Sequence, residues 1–264
     1  MKTTKDTTAP LPIYTPQDYI NKYLNLPREE LRYLFYSLSG SLREAIATNT
    51  PTERVHSYEL SFDDAWDLLK PDQPTFANQL RIHLGVNPDF DVDAPVPPIP
   101  ALTLIAQAYS AFVDADVPSI DDLGPNPKIL NPLKNSDSPN LPMFNVEISS
   151  LQAYDFEVRW RDMLSDEQLQ YQLLATFDNY LKRVKASTFS QSDVASIKYF
   201  LLANQDATTK PSVFFNLASN EFPTEQSDPF QFRFVIQVGH TAADTEYFEY
   251  SRPCPPICDQ VIIS

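Results

Sequence analysis

Two proline-rich stretches limit what this chain can fold into more than any other feature. They are "DAPVPPIP" at 93–100 and "LGPNPKILNPLKNSDSPNLP" at 123–142, the second carrying Pro125, Pro127, Pro132, Pro139 and Pro142. A prolyl ring removes a main-chain donor and pushes its predecessor out of helical space, so neither stretch can form a regular helix or a central strand. The longer one is the expected boundary between two packing units, and a proline-rich connection is semi-rigid where a Gly/Ser linker is flexible. The expected organisation is a tail at 1–12, a mainly helical region at 13–123, a connection at 124–142, an antiparallel sheet with at least one covering helix at 143–252, and an extended arm at 253–264. The fold class is α+β.

Helix starts are well marked before the boundary. "TPQDYINKYL" offers Thr15 as N-cap, Pro16 at the first helical position and Asp18 in the first turn, where a carboxylate suits the helix dipole. "LPREELRYLFYSL" repeats the device with Pro27, Glu29 and Glu30 ahead of Leu31, Leu34, Phe35 and Leu38. Ser41 with Glu44 forms a capping box, and Ser61 opens "FDDAWDLL". The most apolar stretch, Ile99 to Val113, is shorter than the roughly 20 apolar residues of a membrane span and is expected to be a core helix.

Beyond the boundary the period changes to two. Tyr154, Phe156, Val158 and Trp160 alternate with charged residues, and Phe230, Phe232, Phe234, Ile236 and Val238 face inward with Gln231, Arg233 and Gln237 outward, so both segments are expected as half-buried strands with the aromatic rows in the core. "EYFEYS" at 246–251 is the expected hairpin partner of the second. Ser165 with Gln168, a Leu164–Leu169 staple and basic Lys182, Arg183 and Lys185 predict a helix over 164–185. The segment 196–219 is ambiguous: β-branched and aromatic content favours two strands, while Ser192 and Asp193 offer a helix start.

Composition excludes several functions. Four scattered glycines, Gly40, Gly85, Gly124 and Gly239, supply neither a dinucleotide fingerprint nor a phosphate loop, and no nucleophile elbow is present. A net charge of −15 is the wrong sign for a phosphate-binding surface, which disfavours nucleic acid and anionic membrane as partners. The N-terminus has no apolar run after its lysine, and two cysteines in 264 residues suit a reducing compartment, so the cytoplasm is the expected location.

Candidate constellations mostly have bland readings. His56, His83 and His240 lie at no metal-ligand spacing and are expected as surface or capping residues, His83 at a helix end. Asp89, Asp91 and Asp93 alternate like the start of a calcium loop, but Ala94 and Pro100 stand where that loop needs Gly and Glu. Carboxylate pairs such as Asp63–Asp64 fall in first helical turns, where the dipole accounts for them. No cofactor or metal is expected.

The closing stretch "RPCPPICDQVIIS" holds both thiols. Bonding Cys254 to Cys258, or sharing one metal, requires the chain to turn back between them, which Pro255 and Pro256 resist by favouring polyproline II. Free thiols on a stiff arm presenting Val261, Ile262 and Ile263 are the expected arrangement, with an intramolecular disulfide as the main alternative. The interaction residues are therefore Cys254, Cys258, Val261, Ile262 and Ile263. The expected function is a non-enzymatic interaction or assembly protein, self-associating or binding a protein partner. The alternatives are a hydrolase-like enzyme using Asp, Glu or Tyr residues assembled by the fold, and a small-molecule module with an aromatic-lined pocket.

Overall fold

The computed structural model describes residues 14–36, 55, 57–94, 101–110, 122–132, 173–177, 180–219, 232–239, 246–248 and 252–254. In chain order the elements are α1 (Pro16–Asn25), a 3-10 helix (Arg28–Phe35), β1 (Ser57–Leu60), α2 (Phe62–Leu69), β2 (Gln79–Val86), β3 (Leu102–Tyr109), β4 (Lys128–Ile129) and β5 (Asn131–Pro132). Then follow β6 (Leu174–Phe177), β7 (Tyr180–Arg183), β8 (Ala186–Phe189), α3 (Gln191–Ala203), β9 (Ser212–Ser219), β10 (Phe232–Gly239), β11 (Glu246–Phe248) and β12 (Arg252–Cys254). The strands form two antiparallel five-stranded sheets, ordered β11-β10-β9-β1-β5 and β12-β8-β2-β3-β4, with β6 and β7 as a separate hairpin. The class is mixed α+β.

The two sheets face each other across one core. Tyr58 on β1 and Phe215 on β9 are fully buried from the first sheet, and Leu80, Ile82, Leu104 and Phe189 from the second. Phe189 and Phe215 meet edge to face with ring centroids 6.1 Å apart. The Tyr58 hydroxyl donates to the Leu102 carbonyl at 2.8 Å, tying the sheets together, and burial pushes that phenol well above its ordinary pKa.

Both sheets draw strands from either side of residues 124–142. β1 pairs with β9 from Ser57↔Asn216 to Leu60↔Val213, and β2 pairs with β8 from Leu80↔Phe189 to His83↔Ala186. The expected division into an N-terminal helical part and a C-terminal sheet is thus corrected: β1, β2 and β3 lie before the prolines, and β2 and β3 are two of the four eight-residue strands. Residues 102–109 are strand rather than core helix, and His83 sits within β2 rather than at a helix end. Residues 101–107 are all buried, so the apolar run carries no face-to-face contrast that separates strand from helix.

Burial on the second face comes from α1. A Cβ added at Gly85 would lie 3.0 Å from the Tyr19 Cβ and 3.3 Å from its carbonyl carbon, so glycine permits the helix to lie directly on the sheet. Thr15 and Asp18 close the helix start as the sequence predicts: the Asp18 carboxylate accepts from the Thr15 N–H at 2.7 Å and its hydroxyl at 2.8 Å, which holds the carboxyl below its ordinary range. The other end is fixed by Arg183, whose guanidinium donates to the carbonyls of Tyr23 and Leu26, while the Tyr23 hydroxyl donates to the Val184 carbonyl at 2.7 Å.

That role replaces the one the sequence suggests for Arg183. The predicted helix at 164–185 is contradicted over its second half, where β6 and β7 pair from Leu174↔Arg183 to Phe177↔Tyr180. The basic residues at 182–185 are no C-terminal complement to their own helix, since Arg183 caps a helix 160 residues away. Residues 164–172 lie outside the described residues.

The ambiguous segment divides differently from the favoured reading. Its first part is the helix α3, opened by Ser190 rather than Ser192: Ser190 Oγ accepts from the Asp193 N–H at 3.3 Å and Asp193 Oδ2 accepts from the Ser190 N–H at 2.8 Å. The second part is β9. From α3, the buried Lys198 ammonium donates to the Gln73 carbonyl at 3.2 Å and to that of Phe76, pinning the loop between α2 and β2. Burial lowers its pKa. Lys198→Met is expected to cost about 1–3 kcal/mol, measured by urea unfolding, because two carbonyls lose a charged donor. A change within about 0.5 kcal/mol would place that loop's anchorage elsewhere.

The start of "FDDAWDLL" follows the sequence reading, with Ser61 Oγ accepting from the Asp64 N–H at 3.2 Å. The hairpin of 232–239 with 246–248 does too, paired from Ile236↔Phe248 to Val238↔Glu246. Phe234, Ile236 and Val238 are fully buried as expected, but Val235 and Gln237 are buried too, so this strand is covered on both faces and is not the half-buried one expected. The strand at 154–160 and the capping box at Ser41 lie outside the described residues.

Candidate interaction site

The open sides of the sandwich are where another chain could add, and each is closed by one short segment that passes from sheet to sheet. On one side β4 borders β3 through Ala106↔Lys128 and Ile105↔Ile129, and β5 borders β1 through Glu59↔Asn131 and Tyr58↔Pro132. Only Leu130 separates them. Its side chain is buried, and its N–H donates to the Leu104 carbonyl at 2.9 Å. Ile129 remains 42% exposed, one of the few large apolar side chains so placed among the described residues.

On the opposite side β11 borders β10, and β12 borders β8 through Arg252↔Thr188, Pro253↔Ser187 and Cys254↔Ala186. Four Cα steps join Phe248 to Arg252, a reach of about 15 Å at most, enough to cross the roughly 10 Å between packed sheets. Among the described residues, β11 covers three of the eight residues of β10 and β4 two of the eight of β3. Short edge strands are a common device against unwanted pairing.

Proline adds to that device. Pro253 and Pro132 both stand in edge strands. Proline has no N–H to give a ladder, so a strand that contains it must pair through the neighbouring residues and turn the prolyl nitrogen outward. The outer rim of each strand then lacks a donor at that position.

The first segment carries its own electrostatic anchor. The Lys128 ammonium lies 2.7 Å from Asp67 Oδ2 and 3.3 Å from Asp64 Oδ1, and Asn126 donates to Asp67 Oδ2 at 2.8 Å. The Lys128 and Asn126 hydrogen bonds hold the Asp67 carboxyl below its ordinary range, and Asp67 raises the Lys128 pKa. A depressed carboxyl pKa contributes stability above the unfolded value and loses it as pH falls. The melting-temperature difference between the protein and its Asp67→Asn variant is therefore expected to shrink below about pH 4, and in 1 M salt, because both groups are partly exposed. A difference unchanged by pH and salt would assign the effect of Asp67 to something other than its charge.

The remaining polar groups are used in packing. His83 and Gln107 are buried on β2 and β3 and share a hydrogen bond of 2.8 Å, while Gln107 Nε2 donates to the Asp122 carbonyl at 2.7 Å. His83 is thus a core residue, not the surface or capping group expected. Arg81 is fully buried with its guanidinium 4.7 Å from the Tyr109 ring centroid. Ser57, Asn216 and Gln237 form a buried chain across β1, β9 and β10, at 2.6 and 3.0 Å. Asp89 and Asp93 lie in turns closed by the Asn87 and Asp91 side chains, and the Tyr14 hydroxyl donates to Asp89. Among the described residues no three His, Cys, Asp or Glu side chains come together to hold a metal. A shallow groove of about 380 Å³, lined by residues that include Lys22, Leu26, Glu30, Phe90 and Asp91, lies beside the end of α1.

Of the sequence-assigned interaction residues, Cys254 is the last residue of β12, so the first two residues of the expected arm are paired within the chain's own sheet. Cys258, Val261, Ile262 and Ile263 lie outside the described residues, as do His56, His240 and Trp160. Sequence reasoning missed the two sheet-crossing segments. The one signal for the first is the triplet Ile129-Leu130-Asn131 between prolines, too short for any periodicity. Among the described residues no helix is long and apolar enough to cross a membrane. Comparison of the chain with protein-family models, curated proteins and solved structures found no match.

Proposed function

We propose that this protein is a non-enzymatic interaction or assembly module of the cytoplasm, self-associating through its C-terminal arm. One observation carries the reading: Arg252–Cys254 is the outermost strand of the second sheet, so the chain past Cys254 departs from a sheet edge and not from the core. Pro255 and Pro256 favour an extended path from there, and an extended chain at about 3.3 Å per residue would span roughly 23 Å over the seven steps from Cys254 to Val261. Val261, Ile262 and Ile263 have high strand propensity, and an edge strand on a second copy offers them main-chain partners and burial.

Light scattering tests this by native mass. The full chain is expected at a multiple of its 30.0 kDa, falling to the monomer when the chain is ended after Cys254. A monomer at every concentration for the full chain would overturn the reading. Loss of assembly in a Cys254→Ser, Cys258→Ser variant with the arm intact would move the contact from the apolar residues to the thiols.

A further inference from the structure

α3 differs from the other two α-helices in what it shows to solvent. Its only charged side chains, Asp193 and Lys198, are buried, the first in the helix cap on the Ser190 N–H and the second against the Gln73 and Phe76 carbonyls. The exposed positions Gln191, Ser192, Ala195, Tyr199 and Ala203 carry no charge, whereas α1 exposes Asp18 and α2 exposes Asp63 and Asp67. Tyr199 is 75% exposed, more than any other large apolar side chain among the described residues, and the 39% exposed Phe76 stands on the loop that Lys198 holds. Aromatic side chains on a patch depleted of charge are the usual make-up of an interface core.

We propose that the outer face of α3 packs against the same face of a second copy, antiparallel across a two-fold axis near Ile197. Each copy carries a net charge of −15, so two copies repel, and a face without charge is where they meet at least cost. The two-fold contact sets each Tyr199 ring against Ala195 of the other copy, where a small side chain leaves room for it. The inference rests on the assembly reading and adds a second point of contact to the arm. A face of thirteen helical residues, about 20 Å by about 10 Å, covers on the order of 200 Å², well short of the roughly 600 Å² per partner of the smaller stable interfaces. α3 alone therefore does not hold two copies together, and a chain ended after Cys254 remains a monomer. With the arms engaged, the same contact becomes intramolecular and tightens the assembly.

The test uses the full chain and light scattering over a range of concentrations. Ala195→Glu and Tyr199→Glu are each expected to weaken self-association at least about tenfold, because an unpaired carboxylate is then buried in the contact twice over. Both positions are exposed within one copy, so the melting temperature is expected to stay within about 2 °C of the unsubstituted chain. Asn21→Glu, an exposed site on α1, adds the same charge elsewhere and is expected to leave association unchanged. An equal mixture of Ala195→Glu and Tyr199→Lys copies is expected to associate more tightly than either copy alone, since opposite charges then face each other across the axis, a recovery that misfolded chains could not show. Substituted chains that associate as tightly as the unsubstituted one would overturn the inference and leave the arm's role standing, as would a mixture no tighter than its components. A full chain that is a monomer at every concentration would overturn the arm's role, and this contact with it.

Discussion

Replacing Phe215 by alanine is expected to lower the unfolding free energy by about 3–5 kcal/mol. Phe215 is fully buried on β9, the central strand of the first sheet, and its ring meets Phe189 of the second sheet at 6.1 Å between centroids. The neighbouring strands are held by two ladders, β9 with β10 over eight pairs and β9 with β1 over four, so they do not collapse into the vacated volume and it stays largely open. Urea unfolding measures the loss. A cost below about 1 kcal/mol would mean that the sheets do not face each other through this residue.

The second large effect is expected at Gly85. A valine there places its Cβ 3.0 Å from the Tyr19 Cβ and 3.3 Å from Tyr19 main chain, and the helix cannot lift without breaking the hydrogen bonds that tie Tyr23 and Leu26 to Arg183 and Val184. Overpacking of this kind costs about 1–3 kcal/mol, and main-chain contact puts Gly85→Val at the upper end or beyond. Tyr19→Ala keeps both the Cβ and the main-chain carbon that the new side chain meets, so the double variant is expected to recover little of the loss. A valine tolerated within about 0.5 kcal/mol would show that α1 does not lie on the sheet at this point.

The sequence carried most of the local information and little of the pairing. Caps at Thr15 and Ser61 were legible because the signal is chemical and lies within four residues: a side-chain oxygen, then a carboxylate near the first free N–H groups. The hairpin of β10 and β11 was legible because large apolar residues recur at every second position from Phe230 to Val238 and the turn-like sequence "GHTAAD" follows. Residues 102–109 were not, since residues 101–107 are buried on both faces of the strand and so show no period of two. At 164–185, capping and charge suggested a helix, but Thr176, Phe177 and Tyr180 favour extended backbone and Arg183 finds its carbonyls on α1. Over 174–183 strand pairing overrode the local helix signals.

The edge of the molecule was the least legible part. Proline at 132 and 253 marked places where central strands cannot form, and edge strands are where proline is tolerated. The arm was expected to leave the preceding strand directly, whereas Arg252–Cys254 first pairs with β8. No local pattern announces a three-residue strand whose partner lies 64 residues earlier.

Residues on both sides of 124–142 build one folding unit, because each sheet interleaves strands from both. Equilibrium unfolding in urea, followed at once by far-ultraviolet circular dichroism and by tryptophan fluorescence, tests it most directly. Coincident transitions with one midpoint are expected for both probes. Two separated transitions, one for each side of the proline-rich stretch, would contradict it.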